Sequence, residues 1–110
     1  MEHLGTIRAT ALGLSLGVLL GSAPAFAADR GAGEQIAARE CAGCHGVGSG
    51  RGVTIQGVYV PGFAEIARRP YQSRDRLKSY LLIPRHPMPG IALREEDVSH
   101  VVEYILSFRD

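Results

Sequence analysis

The feature that most constrains this chain is its pair of cysteines, which are the only two among 110 residues. Cys41 and Cys44 lie in the segment ECAGCHG, and His45 follows directly. A disulfide between them would close a very short loop and add little stability, because the stabilisation grows with the length of the loop closed. A short chain without tryptophan buries only a modest core. We therefore expect these side chains to hold a group that the fold needs.

The composition around the cysteines favours a helix over residues 33–44, which are rich in alanine, glutamate and glutamine. At about 100° per residue, Cys41, Cys44 and His45 would leave one face of that helix. A zinc site needs four ligands and would have to recruit a distant histidine. A thioredoxin-like pair normally accompanies βαβ patterning, which is missing here. The motif C-x-x-C-H instead indicates a haem attached through two thioethers, with the histidine as an axial ligand of the iron.

The opposite axial position has two candidates. Apart from Met1, Met88 is the only methionine of the sequence, and Pro87 and Pro89 on either side of it favour a rigid, extended strap over a helix. A strap of this kind suits a ligand, so we predict Met88 as the second axial ligand. His86 is the alternative and would lower the reduction potential. His100 falls in a predicted helix, and we expect it at the surface or at an edge.

The first residues are typical of a secretory signal. An apolar run over 10–21 leads to the sequence AFA at 25–27, which fits a small-x-small cleavage pattern. A membrane-spanning helix needs about 20 apolar residues, more than this run offers, so an uncleaved anchor is the weaker alternative. We predict a cleaved signal peptide over residues 1–27 and a mature domain over 28–110.

The charge of the chain is balanced overall and uneven locally. Its formal net charge of +1 argues against general nucleic-acid binding. A basic segment and an acidic segment stand out, and a localised basic patch can steer docking to an acidic partner. The basic segment contains Arg68, Arg69, Arg74, Arg76, Lys78 and Arg85, and the acidic segment contains Glu95, Glu96, Asp97 and Glu103.

Two further helices are predicted. Ser73 can cap a helix through RDRLKSYLL that ends before Pro84. Acidic residues favour another helix that starts near Arg94. Its apolar side chains recur at helical spacing and should be buried as one stripe, which comprises Val98, Val101, Val102, Ile105 and Leu106. The glycine-rich residues 46–62 predict an irregular loop with at most a short extended piece at Val58–Val60.

Together these parts resemble a class I bacterial cytochrome c over residues 31–109. The resemblance rests on Gly33, on CAGCH at 41–45, on the proline-flanked Met88, and on the C-terminal segment DVSHVVEYILSFR. It implies an all-α fold in which three to four helices pack around one covalent haem. It also implies that the N- and C-terminal helices cross where Gly33 meets Tyr104.

The resemblance further implies one haem c held covalently by Cys41 and Cys44, with His45 and Met88 as axial ligands of the iron. In relatives the carbonyl of a proline about a dozen residues after the histidine often orients the histidine ring. This chain has Gly57 near that place and Pro61 as the first proline after His45, so the orienting carbonyl stays open. The candidates for contact with the haem propionates are Arg51, Tyr59, Arg74 and Arg85.

Two protein ligands leave the iron no open position, so the sequence predicts an electron carrier and not an enzyme. We expect it in the periplasm, without a membrane span after cleavage, as a monomer or a subunit of a redox complex. Its redox partner proteins should dock weakly, with help from charge. One alternative is a haem c subunit of a periplasmic dehydrogenase or oxidase. Another is a gas-binding or peroxidatic haem protein with a displaceable sixth ligand.

Overall fold

The computed structural model describes residues 5, 8–18, 21 and 27–110 of the chain. Residues 8–18 adopt neither helix nor strand. Within the described residues, no helix has the length and apolar character that crossing a membrane requires. Ala25 and Phe26 of the predicted cleavage pattern lie outside the described residues, so the signal peptide stays a prediction.

Over residues 27–110 the chain is mostly helical, as predicted, with one small antiparallel sheet. The elements in chain order are α1 (Arg30–Glu40), β1 (Val53–Ile55), β2 (Val58–Val60), α2 (Phe63–Ala67), α3 (Arg74–Leu82) and α4 (Glu95–Leu106). Helix α4 lies at the centre, because it packs against each of the three other helices.

The contact between α1 and α4 depends on Gly33. A Cβ at this position would lie 2.6 Å from the carbonyl carbon of His100 and 2.9 Å from Cβ of Tyr104. Both distances are too short for any side chain, so the two helices approach each other backbone to backbone at this point. The predicted crossing at Gly33 and Tyr104 is confirmed. Ala37, one turn further along α1, is fully buried in the same contact region.

The apolar stripe of α4 forms the core of the protein. Val98, Val101 and Val102 are completely buried, and Ile105 is nearly so. Arg94 offers no side-chain cap to the helix; its guanidinium instead binds the carboxylate of Asp97 in the first turn. The predicted helix and its buried face are confirmed, except that Leu106 is only partly buried.

Helix α3 also agrees with the sequence. Ser73 Oγ accepts a hydrogen bond from the Arg76 N–H (3.1 Å), and the helix ends at Leu82, shortly before Pro84. Leu77 is its buried residue. Arg74 Nε donates to Glu103 Oε1 (2.5 Å), which ties the start of α3 to α4.

Residues 46–62 are more ordered than predicted. β1 and β2 form an antiparallel hairpin in which Val53 pairs with Val60 and Ile55 with Val58. The turn residues Gln56 and Gly57 both have positive φ angles, 49° and 80°, as type I′ hairpin turns require. The predicted extended piece at Val58–Val60 is present, but the prediction that it is the only extended piece was wrong, because Val53–Ile55 forms its partner strand. Residues 46–52 are irregular, as predicted.

Replacing Gly33 by alanine should lower the free energy of unfolding by about 3 kcal/mol, because the added methyl group forces α1 and α4 apart. Chemical denaturation of the haem-containing protein measures this loss. Gly48→Ala is the matched control, since a Cβ there meets nothing within 4 Å, and it should stay within about 0.5 kcal/mol of the parent. Equal losses in both variants would contradict the close contact.

Candidate cofactor site

The two cysteines lie just beyond the end of α1. The helix stops at Glu40, Cys41 is its C-cap, and a turn carries the chain through Cys44 to His45. The His45 N–H donates to the Cys41 carbonyl (2.9 Å), which closes the turn. The prediction that the helix continues to residue 44 was therefore wrong at its end, where Gly43 is a poor helix former. The turn still gathers the three motif residues within one short stretch.

The two thiols have different surroundings. Both are free; Cys41 is only 4% exposed and belongs to the core, whereas Cys44 is exposed. Burial, with a smaller contribution from the Glu40 carboxylate, raises the pKa of Cys41 to about 11. Zinc binds the thiolate form of cysteine, which this environment disfavours. Over the described residues, no group of three or more His, Cys, Asp or Glu side chains is placed to hold a metal ion.

The ring of His45 is fixed by a backbone carbonyl. Its Nδ1 lies 2.7 Å from the carbonyl oxygen of Pro61. A carbonyl can only accept a hydrogen bond, so Nδ1 carries the proton and donates it, which leaves the lone pair of Nε2 for a metal. The phenyl ring of Phe63 packs beside the imidazole, with the ring centroids 5.6 Å apart. The sequence left Gly57 and Pro61 as candidates for the orienting carbonyl, and Pro61 supplies it.

Close backbone packing brings Pro61 to the histidine. A Cβ at Gly52 would lie 2.7 Å from Cα of Pro61, and one at Gly62 would lie 2.6 Å from the Gly50 carbonyl oxygen. In addition, the Phe63 N–H donates to the carbonyl of Gly46 (2.8 Å). These glycines let residues 46–62 fold back onto themselves, and this places the Pro61 carbonyl beside His45.

Helix α4 holds the segment that follows His45. The hydroxyl of Tyr104 donates to the carbonyl oxygen of Val47. The Tyr104 ring also meets Phe63 edge to face, with centroids 6.1 Å apart. Helix α4 therefore contacts both α1, which precedes the C-x-x-C-H motif, and the loop that follows the motif.

Met88 lies on a separate segment between α3 and α4 that contains no helix or strand. Its side chain is half-buried, whereas His86 is exposed. The Met88 N–H donates to the carbonyl of Arg85 (3.0 Å) across a turn that contains the cis peptide His86-Pro87. The predicted absence of helix at Met88 is confirmed, but the strap turns at residues 85–88 and is not extended throughout.

His100 serves the contact between the terminal helices. It is half-buried on α4, and its Nδ1 accepts a hydrogen bond from the backbone N–H of Asp29 (2.8 Å). Asp29 in turn caps α1, because its carboxylate accepts from the Gly31 and Ala32 N–H groups. His100 thus lies at the start of α1 and not beside the C-x-x-C-H motif at its end.

Two of the four candidates for propionate contact already have partners. The Tyr59 hydroxyl donates to Glu65 Oε2 (2.6 Å), and Arg74 is bound to Glu103. Arg51 and Arg85 are exposed, and a propionate contact by either of them stays a prediction.

Glu65 is the site residue that the sequence reasoning missed. Its carboxylate accepts hydrogen bonds from the Tyr59 hydroxyl, the Gly52 N–H and the Gly62 N–H. The Tyr59 and Gly52 hydrogen bonds lower the pKa of the Glu65 carboxyl, and the Tyr59 hydroxyl has a raised pKa because it donates to that carboxylate. A glutamate three residues after a helix N-cap is a known capping signal, and Gly62 at the cap position obscured it.

The donor set fits a covalently attached haem. Two free cysteines flank one turn and could form two thioethers, and the adjacent histidine has one ring nitrogen fixed and the other available. The orienting carbonyl is the kind of partner that histidine ligands of metals normally have for their second nitrogen.

Comparisons with known proteins agree with this chemistry. The sequence model of the cytochrome c family matches residues 31–109. Cytochrome c-552 of Bradyrhizobium diazoefficiens is 41% identical over 96 residues, which cover 87% of this chain and 90% of that protein. No solved structure matches the chain. The chain therefore belongs to the cytochrome c family, whose members carry a covalently attached haem c and transfer electrons.

Proposed function

We propose that this protein is a periplasmic one-electron carrier, with haem c bound by Cys41 and Cys44 and its iron ligated by His45 and Met88. The hydrogen bond from His45 Nδ1 to the Pro61 carbonyl carries the proposal. It fixes the imidazole directly after two free cysteines and leaves Nε2 available. Haem c supplies an iron that alternates between the ferric and ferrous states.

Each residue has a distinct role in this proposal. The Cys41 and Cys44 thiols anchor the group covalently on either side of one turn. The His45 imidazole would bind the iron in a fixed orientation, because its ring is held by Pro61 and packed against Phe63. The soft thioether sulfur of Met88 favours the ferrous state and raises the reduction potential.

The choice of Met88 over His86 rests on burial. Met88 is half-buried on its turn, whereas the neighbouring His86 is exposed. A half-buried side chain is the better candidate for a ligand of the iron. Ligation from both sides leaves the iron no open position for a substrate, which suits a carrier.

Four residues of the basic segment are the candidates for steering a partner. Arg74 and Lys78 are paired with Glu103 and Glu95. The other four cations of the segment are exposed and form no ion pair within the part of the chain that is described: Arg68, Arg69, Arg76 and Arg85. Unpaired surface charge attracts an oppositely charged protein during diffusional encounter. We propose that these four arginines direct an acidic redox partner.

Export is supported by the position of the first helix. Cleavage after residue 27 would leave Ala28 as the first residue, followed by Asp29, which caps α1. The mature chain would thus begin just before its first ordered element. Haem attachment to the two thiols after export also agrees with the absence of further cysteines from the sequence.

The purified protein should contain residues 28–110 and one covalently bound haem. Intact mass spectrometry measures both, and a pyridine haemochrome assay confirms thioether attachment. The reduced protein should give a low-spin spectrum, because both axial positions are filled. Retention of residues 1–27 would contradict cleavage of the signal, and a protein without covalent haem would contradict the anchoring role of Cys41 and Cys44.

Replacing Met88 by alanine should abolish the sulfur-to-iron charge-transfer band of the oxidised protein and lower the reduction potential, because a soft ligand is lost. The reduced variant should also bind carbon monoxide at neutral pH, which the parent should not. His86→Ala is the matched control, two residues away on the same turn, and should leave the band in place. A Met88→Ala spectrum that is unchanged from the parent spectrum would reject Met88 as the ligand.

Replacing Arg68 and Arg69 together by glutamine should slow oxidation of the reduced protein by ferricyanide about threefold at low ionic strength, because an anionic reagent is attracted less strongly. Stopped-flow absorbance measures the rate constant against salt concentration. The double variant Arg74→Gln, Lys78→Gln changes the net charge equally and should have the smaller effect, since both side chains are paired with carboxylates. A parent rate that does not vary with salt would rule out steering.

A further inference from the structure

We propose that Glu65 is a positioning residue that sets the strength of the His45 Nδ1–H hydrogen bond, and thereby the reduction potential, through the peptide group between Pro61 and Gly62. The inference rests on the proposed ligation of the iron by His45. Glu65 itself does not contact the imidazole, so its effect would be transmitted by the backbone.

The two hydrogen bonds concerned lie at opposite ends of one peptide group. The carbonyl oxygen of Pro61 accepts from His45 Nδ1 at 2.7 Å. The N–H of the same peptide group belongs to Gly62 and donates to Glu65 Oε1 at 3.4 Å. The carboxylate, the peptide and the imidazole therefore form one continuous hydrogen-bonded series.

The carboxylate is held in this position by two stronger hydrogen bonds. Oε1 also accepts from the N–H of Gly52, which precedes β1, and Oε2 accepts from the hydroxyl of Tyr59, which lies on β2. Glu65 thus connects both strands of the hairpin to the first turn of α2. The Pro61 carbonyl lies on the short connection between β2 and α2, and these contacts determine where it points.

The negative charge of Glu65 affects the carbonyl at the other end of this peptide group. A negative charge beside the N–H end of a peptide polarises the group and makes its carbonyl oxygen a better acceptor, because successive hydrogen bonds strengthen one another. A stronger Nδ1–H bond makes the imidazole a more basic ligand. A more basic ligand stabilises the ferric state, so Glu65 should lower the reduction potential.

Two simpler roles of Glu65 predict different behaviour. A purely structural carboxylate would stabilise the hairpin without changing the His45 hydrogen bond. A carboxylate acting through space would shift the potential through its charge, whether or not it reaches Gly62. Glu65→Gln keeps the shape and removes the charge, whereas Glu65→Asp keeps the charge and shortens the reach. The two variants together separate these roles.

Proton NMR of the reduced, haem-containing protein provides the direct test. In Glu65→Gln the His45 Nδ1–H signal should move upfield and its exchange with water should become about tenfold faster. The ferric-to-ferrous equilibrium should move toward the ferrous state by up to about tenfold, which for one electron is a rise of about 59 mV. Glu65→Asp should change both quantities in the same direction, because the shorter side chain loses the hydrogen bond from the Gly62 N–H.

Glu34→Gln is the control for charge. Glu34 is an exposed carboxylate on α1, and its neutralisation should leave the His45 signal unchanged. Should Glu65→Gln fail to mature, Tyr59→Phe releases the carboxylate while keeping its charge, and it should shift the same signal in the same direction by a smaller amount.

The inference is overturned if the His45 signal is unchanged in both Glu65 variants, whatever happens to stability. It is also overturned if Glu65→Asp keeps the parent potential while Glu65→Gln does not, since that result indicates charge acting through space. A parent spectrum in which His45 is not the axial histidine would reject the proposed ligation and this inference with it. A His45 ligand that responds to neither variant would reject the inference alone.

Discussion

The close contact of α1 and α4 at Gly33 is the constraint on which the rest of the structure depends. The two backbones meet where any Cβ would collide with the carbonyl group of His100. This contact fixes the direction of α1, and the direction of α1 fixes where Cys41 enters the core at its end. A small chain has little apolar surface to bury, so the buried stripe of α4 serves at once as core and as the support for the cofactor site.

The site is built from backbone groups more than from side chains. The Pro61 carbonyl orients His45, the Val47 carbonyl is held by Tyr104, and the Glu65 carboxylate binds two backbone N–H groups. Residues 46–62 can make these contacts because glycines let their segments approach each other. The hairpin itself is largely exposed, so hydrogen bonds, and not burial, determine its position.

The features predictable from the sequence are those with a short-range signal. The motif at 41–45, the Ser73 cap and the buried face of α4 each follow from residue spacing within one element. The end of α1, the strand Val53–Ile55 and the role of Glu65 were missed, because each depends on contacts between segments. The run of valine, threonine and isoleucine before Gln56 and Gly57 was a local sign of a strand, but the surrounding glycines favoured a loop. Spacing alone does not distinguish Pro61 from Gly57 as the residue that orients His45.

The location of Glu65 also explains why a single carboxylate could influence both stability and redox chemistry. Most of its hydrogen bonds hold the hairpin, and one of them ends on the peptide that orients His45. A substitution in the core of α4 would change stability through packing and leave the charge near this peptide unaltered. A substitution at Glu65 changes that charge directly. Stability and reduction potential should therefore vary independently at most positions of this protein, and together at the base of the hairpin.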